Sequence, residues 1–129
     1  MAKATQFCVG LDNQPGTLAK LCAALARAKV NIGAISVADN AECCWVRLVA
    51  TPTAAAKAAL KKGRFNFCTQ RVLTVKLANR PGELQGIAAQ LARAGVNMNY
   101  VYGSNAEGAS SMLVLSVCDL DRAAKALGA

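Results

Sequence analysis

The chain has 129 residues and a formal net charge of +8, from 15 Lys and Arg against 7 Asp and Glu. A hydrophobic fraction of 54% with only 17% charged residues excludes a disordered chain. Aromatic content of 5% argues against a surface built to stack bases, and the absence of histidine and of any Cys-x-x-Cys pair leaves no zinc or iron–sulfur ligand spacing.

The length suits one ordinary domain or two very small ones. Much of the apolar content is alanine, which predicts a thin core with closely approaching helices. The first residues, Met1-Ala2-Lys3-Ala4, lack the apolar stretch of a secretory signal, and no apolar run approaches the roughly 18 residues that cross a membrane. A cytoplasmic protein with no membrane partner is expected. Cys8, Cys22, Cys43, Cys44, Cys68 and Cys118 fall mostly in apolar segments and read as small buried thiols in a reducing compartment. The cations are scattered, densest at Lys61, Lys62 and Arg64 with Arg71 beyond. A net charge of this size keeps small domains apart in solution, and we read it that way before reading it as a nucleic-acid footprint.

In chain order, Phe7, Val9 and Leu11 alternate as one face of a strand. Pro15-Gly16 then opens a helix, with proline expected in its first turn and Leu18, Leu21, Cys22 and Leu25 at core spacing. Lys29-Val30-Asn31 ends it and turns into a second strand. A hairpin around Asp39-Asn40-Ala41 leads to a third strand, where Val46 and Leu48 point toward the helices and Trp45 away. Residues 54–62 make a second helix, capped by Thr51 or Thr53 and stopped by Gly63. Residues 65–70 form a fourth strand that runs almost directly onward.

The pattern then starts again. Residues 11–32, LDNQPGTLAKLCAALARAKVNI, align without a gap on residues 77–98, LANRPGELQGIAAQLARAGVNM, with 12 of 22 positions identical. Leu73, Val75 and Leu77 repeat the first strand. Leu84, Ile87, Ala88 and Leu91 repeat the helix, and Gly95 is placed to take a left-handed C′ conformation. A hairpin around Asn105–Gly108 follows, with Leu113, Leu115 and Val117 inward and Tyr100, Tyr102 and Met112 outward. Asp119-Leu120-Asp121 begins a last helix. The duplication predicts two α+β units, residues 1–70 and 71–129, each a ferredoxin-like βαββαβ plan with helices on one face of an antiparallel sheet. The second repeat lacks its own fourth strand, so that slot needs another segment or stays open.

The motif N-x-P-G-x-L, followed by V-N at the end of the first helix and present twice in register, resembles the ACT family of amino-acid-sensing regulatory domains. It is most similar to the serine-sensing regulatory domain of phosphoglycerate dehydrogenases, and the tandem without a catalytic domain resembles free-standing double-ACT proteins. The resemblance covers most of residues 5–127. It implies a regulatory protein, not an enzyme and without a cofactor, that binds a free amino acid where two ACT units meet and passes a packing change to a regulated enzyme or other protein partner. Carried over by position, the ligand-binding residues are Asn13, Gly16, Thr17 and Asn31 in the first repeat, and Asn79, Arg80, Gly82 and Asn97 in the second.

The chemistry suits that role. A free amino acid carries an ammonium and a carboxylate, and an asparagine amide offers both donor and acceptor. Helix-start N–H groups favour a carboxylate. Two readings stay open for the asparagines: Asn13 and Asn79 could cap the first helix of each repeat, and Asn31 and Asn97 could take left-handed turn geometry. The loops also differ, Asp12, Gln14 and Thr17 in one answering to Ala78, Arg80 and Glu83 in the other, so the two sites are not equivalent. Trp45, Tyr100, Tyr102 and Met112 on one face predict an association surface, and with it a homodimer or tight packing of repeat against repeat. The alternatives are a nucleic-acid-binding ferredoxin-like module and a ligand-free oligomerisation scaffold. The first lacks the paired aromatics of an RNA-recognition strand, and the residues for catalysis by an enzyme are not in evidence.

Overall fold

The computed structural model describes residues 1–40, 43–105 and 110–128. Strands β1 (Ala2–Asp12), β2 (Asn31–Asn40), β3 (Cys43–Thr51), β4 (Asn66–Ala78), β5 (Met98–Asn105) and β6 (Ser110–Val117) alternate with helices α1 (Thr17–Arg27), α2 (Thr53–Lys62), α3 (Glu83–Arg93) and α4 (Leu120–Ala126). The tips of both expected hairpins, at residues 41–42 and 106–109, lie outside the described residues.

The chain forms two compact units, one of Thr5–Gln70 and one of Met1–Ala4 with Arg71–Ala129. In the first, the strands lie in the order β2-β3-β1-β4, with β3 antiparallel to both β2 and β1. Alternation along β1 and β3 sends Phe7, Val9, Val46 and Leu48, all fully buried, to the side that meets Leu21 and Leu25 of α1 and Ala56 and Leu60 of α2. In the second, the order is β1-β4-β6-β5, and Leu73, Val75 and Leu115 meet Ile87 and Leu91 of α3 and Ala123 of α4. Each unit is the ferredoxin-like plan, with its helices on one face of an antiparallel sheet.

The fourth strand of the second repeat is supplied from the start of the chain. Ala2–Ala4 run beside β4, where Thr74 Oγ1 donates to the Ala2 carbonyl at 3.4 Å, and Lys3 reaches Asp121 of α4 at 2.6 Å. The edge expected to be open is therefore closed within the chain. The segment read as a fourth strand that merely precedes the next repeat is also one unbroken strand, Asn66–Ala78. Its first residues, 66–70, complete one unit and the rest begins the other.

Helix ends depart from expectation in ways that backbone geometry explains. Pro15 and Pro81 lie outside α1 and α3. The N-cap residues are Gly16 (φ 90°, ψ −13°) and Gly82 (φ 89°, ψ −6°), and these are the angles of the third residue of a type II turn, with proline before it. Thr17 N donates to the Gln14 carbonyl at 3.4 Å and closes the first of these turns. Helix α2 starts after Pro52 with no side-chain cap, so neither Thr51 nor Thr53 caps it. Gly63 stands at the C-cap where the helix was expected to stop, but it is right-handed, and Arg64 takes the positive φ of 58°.

All three of α1, α2 and α3 close with the same pair of bonds. Lys29 N bonds Ala26 O and Val30 N bonds Leu25 O, both at 3.0 Å; Arg64 and Phe65 repeat this on Lys61 and Leu60, and Gly95 and Val96 on Ala92 and Leu91. This is the Schellman closure. Gly95 has the left-handed φ of 72° that its position suggested. Asp119 caps α4 as expected, its Oδ1 accepting from Arg122 N at 3.0 Å.

Two expectations about burial are corrected. Leu18 and Leu84 were placed in the core, yet they are 38% and 43% exposed, at the first turn of each helix. Of the six cysteines only Cys44 is buried, while Cys68 and Cys118 are exposed. The face opposite the helices is partly as expected. Trp45 is 40% exposed there, whereas Val114 and Ser116, which stand opposite Tyr102 and Tyr100 in register, are fully buried.

Candidate functional site

In the second repeat, β4 ends at Ala78 and the chain turns through Asn79-Arg80-Pro81-Gly82 into α3. Arg80 N donates to the Ala78 carbonyl at 2.9 Å, folding the loop back on its strand. Gly82 is left-handed, and a Cβ added there would meet nothing within 4 Å. Glycine is thus required by conformation, and the space above it is open. Neither α1 nor α3 has a side-chain N-cap bond. The N-cap positions are held by Gly16 and Gly82, three residues beyond Asn13 and Asn79, which were read as possible caps. The first-turn N–H groups of α3 have no side-chain acceptor from the N-cap residue, and the helix dipole places partial positive charge there.

Beside this loop lies a cavity of about 220 Å³. Leu77, Ala78, Asn79, Arg80, Glu83, Leu84, Ser111 and Leu113 line it. Register explains the set, since Leu77 of β4 stands opposite Ser111 of β6 and Val75 opposite Leu113. At about 30 Å³ of liquid volume per water, the space equals roughly seven waters, the bulk of a small amino acid. Arg80 Nη2 and Nε both donate to Glu83 Oε1, at 2.6 and 3.0 Å. The Arg80 side chain is 72% exposed and that of Glu83 28%. Both bonds use one carboxylate oxygen, so Oε2 keeps its acceptor capacity toward a ligand.

The first repeat is built alike but carries different chemistry. Gln14 N donates to the Asp12 carbonyl at 2.9 Å, as Arg80 does to Ala78. Thr17, at the position of Glu83, spends its hydroxyl on the Asp12 and Gln14 carbonyls at 2.8 and 3.1 Å. Asn13 and Gly16 are exposed on the loop. Where the second loop has a cation and an anion, the first has neutral Gln14 and a hydroxyl turned onto its own backbone.

Asn31 is exposed at the first position of β2, opposite Thr51 in register. Asn97 is exposed just before β5; its Nδ2 donates to Asn99 Oδ1 at 3.0 Å and its backbone N to Cys118 Sγ at 3.3 Å. Neither takes left-handed geometry, which falls to Lys29 and Gly95 two residues earlier. Of the residues assigned from sequence, Asn79 and Arg80 line the cavity and Gly82 shapes its loop, while Asn97 is not in the lining. Sequence reasoning missed Leu77, Leu84, Ser111 and Leu113. Leu84 was hidden by its helical spacing, and Ser111 becomes visible only once strand register is known.

Among the described residues, no group of three or more His, Cys, Asp or Glu side chains is placed to hold a metal, and no helix is long and apolar enough to cross a membrane. Comparison with curated proteins gives no match. Among solved structures, protein BT0572 from Bacteroides thetaiotaomicron superposes with a TM-score of 0.91 at 26% identity, over 97% of this chain and 86% of that one. The ligand-free regulatory subunit of aspartate kinase from Thermus thermophilus shares the fold, with a TM-score of 0.68 at 17% identity over 98% and 95% of the two chains. The corresponding subunit from Thermus flavus gives 0.65 at 19% identity over 97% and 90%. The family model for the ACT domain pair matches residues 2–127, nearly the whole sequence, and the chain belongs to that family.

Proposed function

We propose that this ACT domain pair is a regulatory protein, acting in the cytoplasm without chemistry of its own, that binds a small free amino acid at the loop of its second repeat. The observation that carries the reading is the cavity of about 220 Å³ with Arg80 and Glu83 on its wall. A zwitterion needs one cation and one anion close together. The Arg80 guanidinium and the first-turn N–H groups of α3 would receive the carboxylate. The unused Oε2 of Glu83, with the Ser111 hydroxyl, would receive the ammonium. Leu77, Leu84 and Leu113 would take the aliphatic part, and Asn79 would add a donor and an acceptor at the rim. Asn13, Gly16, Thr17 and Asn31 mark the matching place in the first repeat, which lacks the charge pair and which we read as the weaker or silent site.

The cavity is open on one side, and Leu84 beside it is 43% exposed. We propose that a second copy of the chain closes it, so that ligand binding and dimer packing are linked and a regulated enzyme or other partner reads the change. The exposed Trp45, Ile35 and Val37, at 40%, 42% and 48%, are apolar surface available for such association. Among the twenty amino acids, serine is the first to test, given the resemblance of the N-R-P-G loop to serine-sensing domains.

A thermal-shift screen of the full chain against all twenty amino acids, followed by calorimetry on any hit, tests the reading. Ligand at about 100 times Kd adds roughly 2.7 kcal/mol to the native state, an upward shift of several degrees. No shift with any amino acid up to millimolar concentration would overturn it. Binding unchanged in Arg80→Ala would move the site elsewhere.

A further inference from the structure

Two of the exposed or half-exposed cysteines stand side by side. Within Thr5–Gln70, β1 and the first residues of β4 are neighbours in the sheet. A Cβ on Gly10 would lie 3.6 Å from Asn66 Nδ2, so Gly10 and Asn66 occupy one rung. Stepping back two residues on β1 and forward two on β4 reaches Cys8 and Cys68, whose thiols are in hydrogen-bond contact. The steps run in opposite directions, which makes the pairing antiparallel and sets the two cysteines directly opposite. Phe7 and Phe67 pack together on the other face, ring centroids 6.1 Å apart. Opposed residues in an antiparallel pair have Cα atoms about 4.5–5.5 Å apart, inside the roughly 4.4–6.8 Å window in which a disulfide closes.

Access and charge complete the picture. Cys68 is exposed and Cys8 partly buried. Arg47 of β3 is the register partner of Cys8 on its other side. Burial and the neighbouring Cys68 thiol push the Cys8 thiol up from its ordinary range, and the Arg47 guanidinium pulls it back down. A cation beside a thiol pair favours the thiolate and draws in anionic reagents.

We propose that Cys8 and Cys68 form a thiol–disulfide exchange site that accepts small anionic disulfides, of which oxidised glutathione is the type, and closes a disulfide between β1 and β4. Cys68 loses its proton to solvent and its thiolate attacks one sulfur of the reagent. The reagent's S–S bond breaks, and one small thiolate leaves and is protonated. Cys8 then loses its proton, with Arg47 stabilising the thiolate, and attacks the Cys68 sulfur. The second small thiolate leaves. In sum two protein thiols are oxidised and one small disulfide is reduced to two thiols. The bond would pin residues 66–70 onto β1, and the proposal does not depend on amino-acid binding.

The test uses the reduced full chain at neutral pH with excess oxidised glutathione, alkylation of remaining thiols, and peptide mapping by mass spectrometry. The expected first product is a chain lighter by two hydrogen atoms with Cys8 joined to Cys68, melting about 5 °C or more higher than the reduced form. Cys8→Ser should stop at a glutathione adduct on Cys68. Cys68→Ser should lower the rate of modification of Cys8 by about tenfold or more. An uncharged disulfide of the same potential should react several-fold more slowly, and this advantage of glutathione should fade in Arg47→Gln. If Cys118, the other exposed cysteine, is modified while Cys8 and Cys68 stay free, or if the first disulfide joins other cysteines, the proposal fails. Equal rates for charged and uncharged reagents would remove the anionic preference.

Discussion

Lys3 Nζ donates to Asp121 Oδ1 at 2.6 Å, joining the first strand to the last helix across 118 positions of sequence. The pair is exposed, with side-chain accessibilities of 42% and 87%, so the ion pair itself adds little. What it marks is the place of Met1–Ala4 as the fourth strand beside β4. Deleting residues 1–4 should destabilise the Arg71–Ala129 unit by about 1–3 kcal/mol through lost ladder bonds. Lys3→Ala should cost much less. Urea unfolding of the three proteins distinguishes a strand from a tether.

The same contact sets a pH dependence. The hydrogen bond from Lys3, and then its charge, hold the Asp121 carboxyl below its ordinary value of 3.8. Between the ordinary and the lowered value, the unfolded chain binds a proton that the folded chain does not, so the stabilisation is complete above about pH 4 and is lost as pH falls through the folded value. The stability difference between the parent and Lys3→Ala should therefore be constant from pH 5 to 7 and shrink below about pH 4. A difference that grew on acidification would contradict the assignment.

At the candidate site, Arg80→Ala and Glu83→Gln should each weaken amino-acid binding by about ten- to a hundredfold, since each removes a charged partner of the zwitterion. Melting temperature should barely change, because the pair joins an exposed loop residue to the first residue of α3 and is open to solvent. Gln14→Ala and Thr17→Ala in the first repeat should leave affinity as it is. Calorimetry and thermal melts on the same samples separate the two effects.

Two helix ends place a long side chain where glycine fits best. Lys29 and Arg64 both have φ of 58°, a conformation that costs an L-residue about 1–2 kcal/mol. Lys29→Gly and Arg64→Gly should each stabilise the chain by up to about 1 kcal/mol, and Gly95→Ala should destabilise it by a similar amount. Gly103→Ala should cost more, about 1–3 kcal/mol, because its Cβ would run into the Met112 carbonyl of the paired strand. Chemical denaturation of the four variants checks all of these signs.

The duplicated N-x-P-G-x-L segment and the alternation of Phe7, Val9 and Leu11 were enough to read the ferredoxin-like plan, because periodicity records which face a residue buries. Helix starts were less legible. Pro-Gly is compatible with a helical first turn and with a type II turn, and only the positive φ of Gly16 and Gly82 decides between them. Leu18 and Leu84 keep helical spacing although they are 38% and 43% exposed, so a periodic pattern does not by itself fix how deeply each position is buried. The source of the missing fourth strand was illegible for a topological reason: Ala2–Ala4 and Asp121 meet only after the whole chain has folded. At the candidate site, Asn79, Arg80 and Gly82 could be found from the repeated loop, whereas Ser111 and Leu113 enter through the β4–β6 register.

Both units share one spatial order from second helix to completing strand. In one unit, α2 is followed directly by residues 66–70 of β4; in the other, α4 is followed in space by Ala2–Ala4, with Met1 and Lys125 lining one common cavity of about 300 Å³. Tracing the backbone from α4 into β1 thus repeats the step from α2 into β4. A cut at residue 70 would leave residues 71–129 without Ala2–Ala4, the strand piece that completes their unit.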